Sequence, residues 1–100
     1  MTSSIAGRRV LPGSLYSATK FATTAIGEAL RQELRGREDG SNIKVTLIEP
    51  GMVDTDFFEN RPGDSALADD DIARTVEFAL EQPPGVDINE ILVRPITQAT

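Results

Sequence analysis

An α/β fold built on a parallel sheet is the architecture this chain predicts. Apolar residues recur at helical spacing over 15–34 and again over 69–81, and two β-branched, mostly apolar runs at 43–49 and 89–95 alternate with them. Helices that alternate with apolar strands imply a parallel sheet covered on both faces. The strand count adds a third indication. Two strands do not make an open doubly wound sheet, so the chain reads as part of one.

The opening Met1-Thr2-Ser3-Ser4-Ile5-Ala6-Gly7 is short, small and polar, and positions 7–13 form a loop closed by the turn pair Pro12-Gly13. Ser14 stands where a helix N-cap is needed. The helix over 15–34 carries Phe21, Ala25, Ile26, Ala29, Leu30 and Leu34 as its apolar stripe. Ala18, Ala22 and Gly27 keep it narrow, which suits close packing against another helix. Gly36 and Gly40 flank the charged loop that ends it. Ile43-Lys44-Val45-Thr46-Leu47-Ile48-Glu49 reads as a strand buried on both faces and stopped by Pro50-Gly51. Positions 52–68 are irregular. Asp69, Asp70 and Asp71 open the second helix, where negative charge complements the helix dipole. Pro83-Pro84-Gly85 ends that helix and Asn89-Glu90-Ile91-Leu92-Val93-Arg94-Pro95 supplies the last strand. There is no repeat, low-complexity tract or interdomain linker.

Composition narrows the chemistry. One hundred residues with 39 % hydrophobic content suit one small globular unit. The formal charge of −6 argues against nucleic acid and anionic membrane as partners. With no cysteine and no histidine, disulfides, thiol chemistry, Ser-His-Asp systems and most zinc sites are out of reach, and no metal is expected. No apolar run is long enough to span a membrane, and the N-terminus has no basic segment followed by an apolar core, so a cytoplasmic protein is the expectation.

The chemistry that remains centres on Tyr16, the single tyrosine, and Lys20, four residues on. On a helix both project from one face. An ammonium within ~4–6 Å of a phenol favours its ionised form, and a phenol so tuned is a general acid/base. Taken alone, the pair better fits a half-buried tyrosine and a solvated lysine on a surface helix; its neighbours reverse that reading. Likewise Ser4 fits a turn or cap serine, Pro50-Gly51 a bare strand terminator, and Thr55 an N-cap for a turn at Asp56-Phe57-Phe58.

In order along the chain, Ser4 within Ser3-Ser4-Ile5-Ala6-Gly7, Tyr16-Ser-Ala-Thr-Lys20, Pro50-Gly51-Met52-Val53-Asp54-Thr55 and the closing Asn89-to-Pro95 segment resemble the C-terminal part of the short-chain dehydrogenase/reductase family. The resemblance covers essentially the whole chain and implies a Rossmann-like doubly wound parallel sheet. It implies that Tyr16 is the catalytic acid/base and that Lys20 favours the ionised phenol and binds the nicotinamide ribose. Ser4 would hydrogen-bond the substrate oxygen, and Pro50, Gly51, Val53 and Thr55 would line the nicotinamide. The cofactor implied is NADP or NAD, with NADP favoured by the closing segment. The reaction implied is interconversion of a small-molecule alcohol and carbonyl, in a parent that is a homo-oligomer, dimer or tetramer. Positions 56–68 would form the substrate lid.

The chain also departs from the family. It contains no Gly-x-x-x-Gly-x-Gly, the turn that brings backbone and a helix N-terminus to the cofactor pyrophosphate. Residues 1–100 are therefore expected to be the C-terminal catalytic portion of one NAD(P)-binding domain whose N-terminal cofactor-binding half is absent. The isolated chain is expected to be inactive. The alternative is a non-catalytic remnant or pseudo-enzyme that associates with full-length relatives through its first helix.

Overall fold

The computed structural model describes residues 1–12, 15–40, 42–55 and 65–100. A 3-10 turn at Ile5–Gly7 is followed by helix α1 (Tyr16–Arg35), strand β1 (Leu47–Pro50), helix α2 (Asp69–Leu80) and strand β2 (Glu90–Val93). The strands pair in parallel, with Leu47 opposite Glu90 and Pro50 opposite Val93. Thr2 forms a parallel bridge to Ile48 on the other side of β1. The Ser3 amide donates to the Ile48 carbonyl at 2.8 Å, and the Ile48 amide to the Met1 carbonyl at 2.9 Å. β1 is thus central, flanked by the chain start and by β2. This is the α/β parallel arrangement the helix–strand alternation predicts.

Neighbouring residues of a strand point to opposite faces, which assigns one helix to each face. Gly27 of α1 lies against the Leu47 side chain, whereas Val76 and Ala79 of α2 share a hollow with Ile48. The core is small: Ile5, Ala6, Val45, Leu47, Ile48 and Ala79 are its buried apolar residues.

On α1 the apolar positions Phe21, Ile26 and Leu30 are exposed, Ile26 to 60 %. The buried positions are Ser17 and Gly27, and Ser3 reaches the Lys20 carbonyl and the Thr24 hydroxyl from below. Of the three small residues, Gly27 packs on β1, while Ala18 and Ala22 stay exposed. The helix begins at Tyr16 with Leu15 as its N-cap residue and no side-chain cap; Ser14 lies outside the described residues.

The first strand is also shorter than its apolar run. It starts at Leu47, because side chains and the chain terminus take the backbone groups before it. The Val45 amide donates to Asp87 Oδ1 at 3.1 Å, Asn89 Nδ2 donates to the Val45 carbonyl at 3.1 Å, and the N-terminal ammonium donates to the Thr46 carbonyl at 2.8 Å. Asp87 also pairs with Arg35 at the end of α1. At α2 the three aspartates occupy the first turn as expected. Asp71 reaches back to accept from the Ala68 amide at 2.8 Å. Pro62-Gly63 lies outside the described residues.

Gly7 marks where turn and helix meet most closely. A Cβ there would stand 2.6 Å from Ser3 Oγ and Thr24 Oγ1 and 2.7 Å from the Lys20 carbonyl oxygen. The carbonyl belongs to the helix backbone and cannot swing aside, so Gly7→Ala is expected to destabilise the fold by roughly 1–3 kcal/mol. Urea unfolding read by circular dichroism checks this; an unchanged midpoint would mean that α1 moves off the turn without cost.

Candidate active site

Ser4 follows the Thr2 bridge as the N-cap of the 3-10 turn, with extended backbone, and its Oγ accepts the Ala6 amide at 3.1 Å. The cap role anticipated for a turn serine is therefore present. Extended backbone alternates side chains, so the two serines separate: Ser3 commits its hydroxyl to α1 and Ser4 does not.

Tyr16 is the first residue of α1 and Lys20 stands one turn later, its Nζ 5.6 Å from the centre of the Tyr16 ring. The helix start is pinned from behind, because buried Ser17 Oγ accepts the Leu11 amide at 2.9 Å. That bond ties Leu11, after the 3-10 turn, to the first turn of α1.

Pro50 ends β1. Beyond it, the Gly51 amide donates to the Val93 carbonyl at 2.7 Å and the Met52 amide to Gln98 Oε1 at 2.8 Å. Val53 bridges Leu67, with the Asp54 amide donating to the Leu67 carbonyl at 2.8 Å and the Leu67 amide to the Met52 carbonyl at 2.9 Å. Positions 51–54 are thereby held on both sides. Thr55 is half-buried; Asp56, Phe57 and Phe58, and most of the anticipated lid segment, lie outside the described residues.

A cavity of about 410 Å³ is bordered by Ser4, Tyr16 and Lys20 on one side and by Pro50, Gly51, Val53 and Thr55 on the other. Thr2 and Ser3 also line it, and Asp69 and Ile72, from the start of α2, complete its wall. Sequence reasoning did not find these two: the aspartate run marks a helix start, but nothing local places that start beside the 50–55 loop. A separate hollow of about 380 Å³, between α1 and the strands, contains none of the seven predicted site residues. No cluster of three or more metal-ligating side chains occurs among the described residues.

Glu49, directly before Pro50, was also missed. Its side chain is fully buried, and among the described residues neither carboxylate oxygen has a hydrogen-bond partner. Arg8 Nη1 is 3.9 Å from Oε2 and 2.7 Å from Glu90 Oε1. Burial, and secondly the neighbouring Glu90 carboxylate, push the Glu49 carboxyl up to about 7, against the opposing effect of Arg8. Two carboxylates are both acceptors, so a hydrogen bond between them requires a proton on one.

The family model described as short chain dehydrogenase matches residues 1–66. The mouse protein "Dehydrogenase/reductase SDR family member 11" is 40 % identical over 112 aligned positions, covering 97 % of this chain and 42 % of that protein. Among solved structures, the closed form of a serine dehydrogenase complexed with NADP+ superposes with a TM-score of 0.84 at 29 % identity, covering 99 % of this chain and 44 % of that one. An alcohol dehydrogenase from the archaeon Thermococcus sibiricus, complexed with 5-hydroxy-NADP, gives 0.80 at 27 % identity, covering 99 % and 42 %. The chain thus spans about two fifths of the length of these relatives. With a family model over two thirds of its residues and a matching α/β fold, the chain belongs to the short-chain dehydrogenase family.

Proposed function

We propose that this chain is the C-terminal catalytic portion of an NAD(P)-dependent oxidoreductase that interconverts an alcohol and a carbonyl through Ser4, Tyr16 and Lys20. The observation that carries the reading is the single cavity bordered by those three side chains and by the Pro50-Gly51 loop.

The donor set suits the nicotinamide half of a dinucleotide. Lys20 offers an ammonium for ribose hydroxyls, Thr55 a hydroxyl, and the 51–54 loop a fixed backbone surface beside Pro50. The adenine and pyrophosphate half finds no Gly-rich turn in these 100 residues. When bound, the cofactor supplies or accepts the hydride. In the reducing direction Tyr16 gives its phenolic proton to the carbonyl oxygen as negative charge develops there. Ser4 Oγ, already accepting from Ala6, keeps its own hydroxyl proton to donate to the same oxygen. Lys20 holds a positive charge beside the ring throughout. In the oxidising direction the same proton returns to Tyr16. NADP is the favoured cofactor, in line with the NADP-type ligands of the two solved relatives.

The exposed stripe of Phe21, Ile26 and Leu30 favours a second reading, in which the chain acts by association with full-length relatives and not by catalysis. The same stripe supports a homo-oligomeric parent, since an apolar helix face of this kind is an association surface. No described helix is long and apolar enough to cross a membrane; a cytoplasmic location belongs to the proposal and is checked by fractionating cells that express the tagged chain.

Two measurements separate the readings. The isolated chain, titrated with NADPH and NADH by fluorescence and run in a sedimentation experiment, is expected to show no saturable micromolar binding and to sediment as oligomer or aggregate. A chimera in which the mouse relative supplies the remaining length is expected to bind NADPH and reduce small carbonyls. A well-folded chimera that binds cofactor yet turns nothing over would favour the associating remnant.

A further inference from the structure

The C-terminal segment folds back onto the loop that borders the candidate site. Past β2, Pro95 is buried and its carbonyl accepts the Gln98 amide at 3.0 Å, turning the chain. The Thr100 carbonyl accepts from Arg94 Nη1 at 3.0 Å and from Arg9 Nη1 at 3.4 Å. Thr97 Oγ1 donates to the Ser65 carbonyl at 3.4 Å. Between these anchors, Gln98 Oε1 accepts the Met52 amide at 2.8 Å, across a sequence separation of 46 residues.

Gly51 makes that contact possible. A Cβ at position 51 would fall 2.3 Å from Gln98 Oε1 and 3.0 Å from Gln98 Cδ and Arg94 Cγ. The amide oxygen occupies the space that any other side chain would fill. Glycine here serves the close approach of Gln98, and the Pro-Gly pair does more than stop a strand.

We propose that Gln98 is a positioning residue of the candidate site: by accepting the Met52 amide it fixes the backbone of positions 51–53 in the orientation that faces a nicotinamide cofactor. The inference rests on the cofactor reading above. The Gly51 amide is held by β2, and the Asp54 amide and Met52 carbonyl by Leu67, so the Met52 amide is the group between them that depends on the tail. Gln98 touches neither substrate nor hydride, and its effect belongs on cofactor affinity.

The test uses the chain itself in three forms: wild type, Gln98→Met, which keeps length but removes the amide acceptor, and Gln98→Glu, which keeps an acceptor oxygen. Hydrogen–deuterium exchange, read residue by residue by electron-transfer fragmentation, reports the Met52 amide with and without millimolar NADPH. Met52 is expected to exchange about fivefold faster in Gln98→Met, the effect of losing roughly 1 kcal/mol of net hydrogen bonding. Gln98→Glu is expected to restore the wild-type rate. NADPH is expected to slow exchange across 51–53 in wild type and in Gln98→Glu, at concentrations about tenfold lower than in Gln98→Met. Unchanged Met52 exchange in Gln98→Met would overturn the proposal, as would faster exchange with an unchanged NADPH requirement. Gln98-dependent Met52 exchange without any NADPH response in the isolated wild-type chain would support the strap; the same lack of response in the chimera with the mouse relative would overturn the cofactor reading.

Discussion

Tyr16→Phe is expected to lower turnover by at least ~10²–10⁴-fold in a chimera that supplies the remaining length of a relative, because general acid/base catalysis is typically worth that much. The substitution keeps the ring beside Lys20 and the first turn of α1, and removes only the phenolic oxygen with its proton. Loss of the same hydroxyl as a donor to the developing oxyanion adds to the cost. Cofactor affinity should change little, since the ring and Lys20 stay in place. Lys20→Met is expected to behave differently, weakening both turnover and cofactor binding, since its ammonium has two roles. Steady-state kinetics with cofactor titration separate the two patterns. Kinetics like wild type in the Tyr16→Phe chimera would rule out this residue as the acid/base and return it to the surface-tyrosine reading.

The second large effect concerns Glu49 and stability. In the unfolded chain its carboxyl ionises near the ordinary value of 4.5, and in the fold only near 7. Between those values the folded chain retains a proton that the unfolded chain has lost. Stability from this group is therefore full below about pH 4.5 and is lost as pH rises through about 7. The full difference is on the order of 1–3 kcal/mol. The groups that face it are the Arg8 guanidinium and the Glu90 carboxylate. Glu49→Gln holds the position neutral at every pH, so it should flatten the slope and raise stability above pH 7 relative to wild type. Urea midpoints at pH 5 and pH 8 for both proteins check this. A wild-type midpoint that is equal at the two pH values would mean that Arg8 keeps Glu49 ionised in the fold.

Much of this fold is legible in the chain because its signals are local. Helical periodicity, β-branched runs and Pro-Gly punctuation act over a few residues, and they mark both helices to within one residue at each end and the alternation with strands. The candidate site is legible for a different reason. Ser4, Tyr16, Lys20 and Pro50-Gly51 are uninformative one by one, and only their order along the chain suggests a shared cavity. Their local geometry follows from simple rules: four residues on a helix bring Lys20 under Tyr16, and alternation along extended backbone separates Ser3 from Ser4.

The errors arise where long-range contact decides. The period of the α1 stripe is legible, but not its partner: Phe21, Ile26 and Leu30 stay exposed, and Ser17 and Gly27 are the buried positions. Periodicity reports that a face is apolar; which face meets the sheet depends on how closely the backbones pass, and here Gly27 lies against Leu47 and Gly7 against the Lys20 carbonyl, contacts a Cβ at either glycine would block. The strand run at 43–46 fails to pair because Asp87, Asn89 and the N-terminus reach its backbone first.

The sequence by itself determined the order of elements, the parallel α/β class, the absence of cysteine and histidine chemistry, and the residues from which a phenol–ammonium–hydroxyl site is assembled. Those properties are set by residue identity and short spacing. The tertiary structure alone decided that Glu49 is buried beside Arg8 and Glu90, that α2 lends Asp69 and Ile72 to the cavity wall, and that Gln98 holds the Met52 amide. Each of these depends on distant segments being brought within a few ångströms by the packing of helices on the sheet, and no local pattern encodes that distance.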